Sequence, residues 1–171
     1  MSQDVSNALR SEVTSYLESN HTLSEYVSVE LCAGSGVLSL HLKAEGLHIV
    51  PVDYIRNSHS SHVPSLVLDL SISSQADIII QLIAAGMVVF IHAGVPCGTC
   101  SRAREIPLRG SHSPKPLRSE LCPMGLPNLN ESDQARIDKA NSVYLNCARI
   151  IDEAIRKNIF VTIENPRNSL L

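Results

Sequence analysis

Residues 27–36 read VSVELCAGSG, which places a short, largely apolar strand directly before a glycine-rich turn. The next residues, 37–45, have the composition of a helix that Gly46 ends. A strand, a glycine turn and a helix form the opening of a βαβ unit, in which helices join parallel strands. This stretch therefore predicts an α/β fold.

Strands and helices continue to alternate along the rest of the chain. The spacing of apolar residues predicts a helix over 74–85 and a long helix through 137–155, with Ser132 or Asp133 as its N-cap. Further strands are predicted at residues 48–53, 65–70, 87–92 and 158–164. Such alternation is typical of a parallel sheet with helices on both faces. Residues 96–127 hold six of the nine prolines and have little periodicity, which predicts a long functional loop.

The composition is that of a globular chain with one main domain. Of the 171 residues, 44% are hydrophobic and 18% are charged, which excludes disordered, collagen-like and coiled-coil proteins. The net charge of −3 gives no overall attraction to nucleic acid or to anionic membranes. Residues 1–26 are predicted to be a helical extension, because helical spacing relates Val5, Leu9, Val13, Tyr16 and Leu17.

Residues 78–95 carry no charge and approach the length of a membrane span. They are interrupted at Gln81, Gly86 and His92, and they change midway from a helical to a β-branched run. A helix, a glycine and a buried strand are predicted instead, with no membrane contact. The polar N-terminus and the odd number of cysteines, five, indicate a reducing intracellular compartment, either the nucleus or the cytoplasm.

Three acidic residues, Glu30, Asp53 and Asp69, fall at the ends of the first three predicted strands. In open α/β sheets ligands bind at this edge, and a carboxylate there can accept both hydroxyls of a ribose. Taken separately, the glycines would serve only a tight turn and Asp53 only a cap. Together they favour an adenosine-containing cofactor. The predicted cofactor contacts are Glu30, Cys32, Ala33, Gly34, Ser35, Gly36, Asp53, Tyr54, Asp69 and Leu70.

A second group of residues, GVPCGTCS at 94–101, follows the fourth predicted strand. Cys97 is held between Pro96 and Gly98 at a strand end, a placement that suits a nucleophile. One alternative is a small buried cysteine, and another is a zinc ligand acting with Cys100, His112 and Cys122. The cysteine spacing matches no common zinc finger, so no metal is predicted.

The order of these features along the chain is distinctive. LCAGSG at 31–36, Asp53, Asp69, Pro96-Cys97 and Glu164-Asn165 each follow a successive predicted strand. Over residues 27–171, this set resembles the catalytic domain of the C5-cytosine-specific DNA methyltransferases, which use S-adenosyl-L-methionine. The glycine motif has little specificity, whereas Pro-Cys after the fourth strand together with Glu-Asn after the fifth has much more.

The resemblance implies a doubly wound, mostly parallel Rossmann-like sheet in the order 3-2-1-4-5 that lacks the family's final strands. It also implies a catalytic set of Pro96, Cys97, Glu164 and Asn165. Cys97 would attack C6 of a flipped-out cytosine and Glu164 would assist protonation at N3, so that C5 accepts a methyl group from S-adenosyl-L-methionine. The sequence departs from the family at residues 98–100 and at Pro166. It also ends before the family's arginine motif and target-recognition region, as expected of a fragment or a reduced relative.

The loop after Cys97 is locally basic, which indicates contact with phosphates rather than only a solvated surface. The predicted nucleic-acid contacts are Ser101, Arg102, Arg104, Arg109, Lys115 and Arg118. DNA is the predicted partner, and RNA is less favoured. Two alternatives stay open at this point. One is a methyltransferase with another acceptor, and the other is a non-catalytic nucleic-acid-binding module that retains the cofactor pocket.

Overall fold

A computed structural model describes residues 11, 13–16, 18–19, 26–55, 60–106 and 114–170. In this part of the chain, five parallel strands form one sheet in the order β3-β2-β1-β4-β5. The strands are β1 Val27–Leu31, β2 Ile49–Asp53, β3 Leu66–Val67, β4 Val88–Gly94 and β5 Phe160–Glu164. The helices are α1 Val37–Ala44, α2 Ser73–Ala84 and α3 Glu131–Arg156. The predicted Rossmann-like α/β fold and its strand order are confirmed.

Helices cover both faces of the central strand β1, so all five of its residues are buried. Val29 and Leu31 point into the main core, where they meet α2 and α3. Side chains alternate along a strand, so Glu30 points to the opposite face. There it accepts hydrogen bonds from the backbone N–H of Ser39, at 3.0 Å, and from the Ser39 hydroxyl, both on α1.

The N-terminal segment is helical wherever the structure describes it, at residues 11, 13–16 and 18–19. Val13 is buried in the main core, and Tyr16 packs against that core and donates a hydrogen bond to the Pro64 carbonyl at 2.7 Å. These two residues attach the helical segment to the sheet domain. The other apolar positions behind the helix prediction, at 5, 9 and 17, lie outside the described residues.

The third strand is shorter than the predicted 65–70. Only Leu66 and Val67 pair with β2, and the chain then turns toward α2. The departure follows from hydrogen bonds that replace the ladder, since the side chain of Gln75 accepts from the Asp69 backbone N–H at 2.5 Å. Asp69 therefore lies two residues beyond the strand rather than at its end, which corrects the prediction.

The long helix α3 begins earlier than predicted. Its N-cap is Asn130, whose side-chain oxygen accepts from the backbone N–H of Asp133 at 2.8 Å, so the prediction of Ser132 or Asp133 as cap is wrong. The apolar run 78–95 divides as predicted, because α2 ends at Ala84 and β4 begins at Val88. None of the described helices is both long enough and apolar enough to cross a membrane.

Much of the segment 96–127 is held by side-chain contacts, although its sequence has little periodicity. It contains two short 3₁₀ turns, Cys97–Thr99 and Arg102–Glu105, and a bridge between Ser119 and Cys122. Leu117 and Arg118 are each only 1% exposed, so this part of the segment is buried against the rest of the protein. Residues 107–113 lie outside the described part.

Candidate functional site

The turn between β1 and α1 is held in an unusual backbone conformation. Cys32, Gly34 and Gly36 all have positive φ, at 56°, 59° and 68°. A side chain at position 36 would also collide with its surroundings, because a Cβ there would lie 2.9 Å from Val63 Cγ2. Glycine is therefore required at position 36 by space as well as by conformation. The turn brings the backbone of Gly34 to the carboxyl edge of the sheet.

Asp53, at the end of β2, fixes this turn from the side. One carboxylate oxygen accepts from the backbone N–H of Gly34 at 2.6 Å, and the other accepts from that of Tyr54 at 2.7 Å. Hydrogen bonds from backbone N–H groups to a carboxylate are strong ones. The Asp53 side chain thus joins the ends of β1 and β2 and belongs to the predicted site.

Asp69 makes a second polar junction at the same edge. Its carboxylate accepts from the backbone and the hydroxyl of Ser71, at 3.0 and 2.6 Å, and pairs with the Lys139 ammonium at 2.9 Å. Burial alone would raise the pKa of Asp69, but these hydrogen bonds and the lysine outweigh it and hold the pKa below its ordinary value. The Lys139 ammonium also lies 4.7 Å from the centroid of the Tyr54 ring.

A cavity of about 740 Å³ opens between the carboxyl edge of the sheet and α3. Its size suits a ligand of nucleoside dimensions. Seven of the residues predicted to form the site line it: Cys32, Gly34, Asp53, Tyr54, Asp69, Leu70 and Pro96. The predicted cofactor contacts are therefore largely brought together, and the ends of β1, β2 and β4 meet around one space.

Four predicted cofactor contacts do not line the cavity. Glu30 is 5% exposed and is used by α1, and Gly36 lies against Val63. Ala33 donates its backbone N–H to the Val52 carbonyl, and the Ser35 carbonyl accepts from His62. These four residues stabilise the turn and the helix after it from outside the cavity. Glu30 in particular supports α1 and does not face the cavity.

Helix α3 forms a wall of the cavity that the sequence did not predict. The wall residues are Ser132, Ala135, Arg136, Lys139 and Val143. They recur every three or four residues, so they form one stripe on the helix. The stripe is polar toward the start of α3 and apolar at Val143. This change of polarity along the helix was the only sign of the wall in the sequence.

Cys97 and Glu164 lie at the same edge of the sheet, as predicted. Gly94 pairs with Glu164 in the register of β4 and β5, and Cys97 follows Gly94 by three residues. Cys97 is partly exposed, whereas Glu164 and Asn165 are exposed. Pro96, directly before Cys97, lines the cavity, and its carbonyl accepts a hydrogen bond from the Tyr144 hydroxyl at 2.5 Å.

The basic loop residues divide into a buried one and several surface ones. Arg118 is 1% exposed and bonds within the protein, so the prediction that it contacts nucleic acid does not agree with its position. Arg102 pairs with Glu120, and Arg104 donates to the carbonyls of Lys115 and Gly98. Ser101 caps the second 3₁₀ turn. The side chain of Lys115 is exposed, and Arg109 lies outside the described residues.

All five cysteines are free thiols. Contact with Cys147 and burial both raise the pKa of Cys32, which therefore stays protonated beside the cavity. Among the described residues, no group of three or more His, Cys, Asp or Glu side chains is placed to hold a metal ion. His112, from the zinc alternative, lies outside that part of the chain.

Comparison of the chain with protein-family models, with curated proteins and with solved structures gave no match.

Proposed function

We propose that this chain is an S-adenosyl-L-methionine-dependent methyltransferase-like domain that methylates C5 of cytosine in DNA, with Cys97 as the nucleophile. The observation that carries the proposal is a juxtaposition. The Cys97 turn follows β4, Glu164 ends the adjacent parallel strand β5, and Pro96 connects that turn to the cavity at the ends of β1 and β2. Cys97 and Glu164 do not line the cavity themselves, but Pro96 and Thr99, on either side of Cys97, both line this space of nucleoside size.

The residues around the cavity fit the proposed cofactor. Asp53 lies at the end of β2, where a carboxylate can accept from ribose hydroxyls, and Leu68, Leu70 and Val143 offer an apolar wall for a base. Gly34 leaves room for close approach, since nothing lies within 4 Å of the position a Cβ would take. When bound there, S-adenosyl-L-methionine supplies an electrophilic methyl group.

In the proposed reaction the chain's own residues activate the base. The Cys97 thiol gives its proton to water, and the thiolate sulfur forms a bond to C6 of the cytosine as the C5–C6 π bond breaks. Glu164 hydrogen-bonds the base and assists protonation at N3, which relieves the charge developing on the ring and leaves the electron pair available at C5. C5 takes the methyl group as the methyl–sulfur bond of S-adenosyl-L-methionine breaks, and the electrons of that bond stay on the donor's sulfur. Water then accepts the C5 proton, and the Cys97 sulfur leaves as a thiolate, which restores the C5–C6 double bond. Lys115 and Arg102 on the following loop are the proposed contacts to DNA phosphates.

The test is covalent trapping with an oligonucleotide that contains 5-fluorocytosine. S-adenosyl-L-methionine is included in the reaction. Once C5 is methylated, it carries fluorine instead of the proton that elimination requires, so the Cys97–C6 bond should persist after denaturation and be mapped by mass spectrometry. Cys97→Ser should abolish the adduct. Cys122→Ser, which removes another partly exposed thiol in the same segment, should leave it intact.

Calorimetry with S-adenosyl-L-methionine and with its demethylated product completes the experiment. Ligand binding without an adduct on DNA or RNA would favour a methyltransferase with another acceptor, or a binding module that retains the pocket. If neither ligand binds the wild-type chain, the cofactor assignment is wrong.

A further inference from the structure

The turn that carries Cys97 has little internal support. It contains three residues, Cys97–Thr99, and the backbone N–H groups of Cys100 and Ser101 both bond to the single carbonyl of Cys97, at 3.1 and 2.9 Å. Short 3₁₀ turns have poorer hydrogen-bond geometry than α-helices. The middle residue is Gly98, which adds conformational freedom. Contacts from outside the turn must therefore fix its orientation.

Tyr144, on α3, makes one of these contacts. Its hydroxyl donates to the carbonyl of Pro96 at 2.5 Å, directly before Cys97, and lies 3.2 Å from the hydroxyl of Thr99, directly after the turn's central glycine. Burial raises the pKa of Tyr144 to about 12, so the donor proton is retained at neutral pH. Because that proton goes to Pro96, the Thr99 hydroxyl donates to the Tyr144 oxygen.

Arg118 supplies the other contact. Its Nε and Nη2 donate to Thr99 Oγ1 at 3.2 and 3.0 Å, and its Nη1 donates to the Pro123 carbonyl at 2.5 Å. The guanidinium carbon lies 5.3 Å from the centroid of the Tyr144 ring. Among the described residues, no carboxylate forms an ion pair with Arg118, although burying a cation is costly. The hydrogen bonds of Arg118 to Thr99 and Pro123 therefore hold the loop, and none of them neutralises a carboxylate.

The two residues complete one directed chain of hydrogen bonds, from Arg118 to Thr99, to Tyr144 and to the Pro96 carbonyl. Each group in such a chain polarises the next, which strengthens the whole. These hydrogen bonds hold the turn on both sides of Cys97, at Pro96 and at Thr99. Resting on the proposed function, we infer that Arg118 and Tyr144 are positioning residues that aim the Cys97 sulfur at the bound base.

Two variants test this inference without depending on one another. Tyr144→Phe removes only the hydroxyl and keeps the ring under Arg118, so it should fold. Arg118→Met removes the hydrogen bonds to Thr99 and Pro123. Arg149→Met is the matched control, because Arg149 is also a bonded arginine but contacts Asp77 and Asn146, away from the turn.

The first readout is the rate at which iodoacetamide alkylates each thiol, mapped by mass spectrometry. Release of the turn should expose Cys97 and raise its rate about threefold or more through local opening. Cys147, which is 1% exposed in the core, reports global opening and should not change. Arg149→Met should alter neither rate.

The second readout is covalent trapping by the 5-fluorocytosine oligonucleotide. At saturating oligonucleotide, both variants should trap about tenfold more slowly or worse, because misplacing a reacting group slows the bond-forming step. The dissociation constant of the oligonucleotide should stay unchanged. Faster alkylation together with slower trapping is not the result of a general loss of stability, which would also expose Cys147.

The outcomes separate the two proposals. Unchanged Cys97 alkylation in both Tyr144→Phe and Arg118→Met would overturn the positioning role, whatever trapping shows. The two variants could show faster Cys97 alkylation while the wild-type chain itself forms no adduct with the oligonucleotide. That result would support the hydrogen-bond chain and count against the proposed methyl transfer. Equal rises in Cys97 and Cys147 rates would make the two residues supports of the fold alone.

Discussion

The carboxylate of Asp53 accepts a hydrogen bond from the backbone N–H of Gly34 at 2.6 Å. This contact joins the end of β2 to the glycine turn after β1, two elements that come together only because the strands are parallel neighbours. A side chain predicted to bind a ligand thus also holds the loop that the ligand would approach. Loss of Asp53 therefore affects both stability and binding.

We expect Asp53→Ala to lower the free energy of unfolding by about 1–3 kcal/mol, because Gly34 and Tyr54 lose this acceptor. It should also abolish binding of S-adenosyl-L-methionine in calorimetry. Asp53→Asn keeps one acceptor oxygen and should lose less stability. Binding by Asp53→Ala with wild-type affinity would remove Asp53 from the cofactor site.

Two alanine substitutions in the same turn should differ in cost. Both glycines have left-handed φ, so each change should lose about 1–2 kcal/mol of unfolding free energy. Gly36→Ala should lose about 1–3 kcal/mol more, since its methyl group would meet Val63 at 2.9 Å while Gly34 has open space. Urea unfolding of both variants measures the difference. Equal losses would show that the turn relaxes around position 36.

Asp69 should make stability depend on pH in acid. Its pKa in the folded protein lies below the ordinary value of 3.8, so its contribution to stability is present above that value. It is lost as the pH falls through the lower, folded pKa. The difference in unfolding free energy between wild type and Asp69→Asn should therefore shrink as the solution is acidified below about pH 4.

Lys139→Met supplies the control for this titration. Without the ammonium 2.9 Å away, the pKa of Asp69 should move back toward its ordinary value, and the pH dependence should weaken. If the difference in unfolding free energy between wild type and Asp69→Asn stays constant from neutral to strongly acid pH, Asp69 does not have a lowered pKa in the folded protein.

The sheet could be predicted from the sequence because its signal is periodic and local. β1 is buried throughout and largely apolar, since it is covered on both faces, and glycines mark the turn after it. β3 was predicted too long because its run of buried apolar residues continues beyond the strand. Leu68 and Leu70 are as buried as strand residues. The chain nevertheless leaves the ladder, because Asp69 donates its backbone N–H to the Gln75 side chain and its carboxylate accepts from the Ser71 backbone N–H.

The site was predictable only where it lies at strand ends. Asp53 ends β2 and Cys97 comes three residues after β4, so topology places them, whereas the α3 wall with Lys139 depends on how a distant helix packs across the cavity. The burial of Arg118 had no local signal either. An arginine in a proline-rich, basic stretch has the same sequence pattern on the surface as in a buried position, and only its bonds to Thr99 and Pro123 decide between them.

The last prediction concerns the order in which the five thiols react with iodoacetamide at neutral pH. Cys100 and Cys147 are buried and should react slowly. Cys32 is partly exposed, but contact with Cys147 and burial raise its pKa, so it lacks the reactive thiolate. Cys97 and Cys122 should therefore be modified first, and Cys97 should lead because it lies at a sheet edge that is open to ligands.

Peptide mapping by mass spectrometry after short exposures gives the order directly. Cys122→Ser should leave the rate at Cys97 unchanged, and Cys97→Ser should leave the rate at Cys122 unchanged, because hydrogen bonds and not the thiols themselves hold the two turns. Addition of S-adenosyl-L-methionine should slow Cys97, since Pro96 and Thr99 both line the cavity. Modification of Cys32 or Cys147 ahead of Cys97 would mean that the cavity opens more readily than the turn, and the nucleophile assignment would fail.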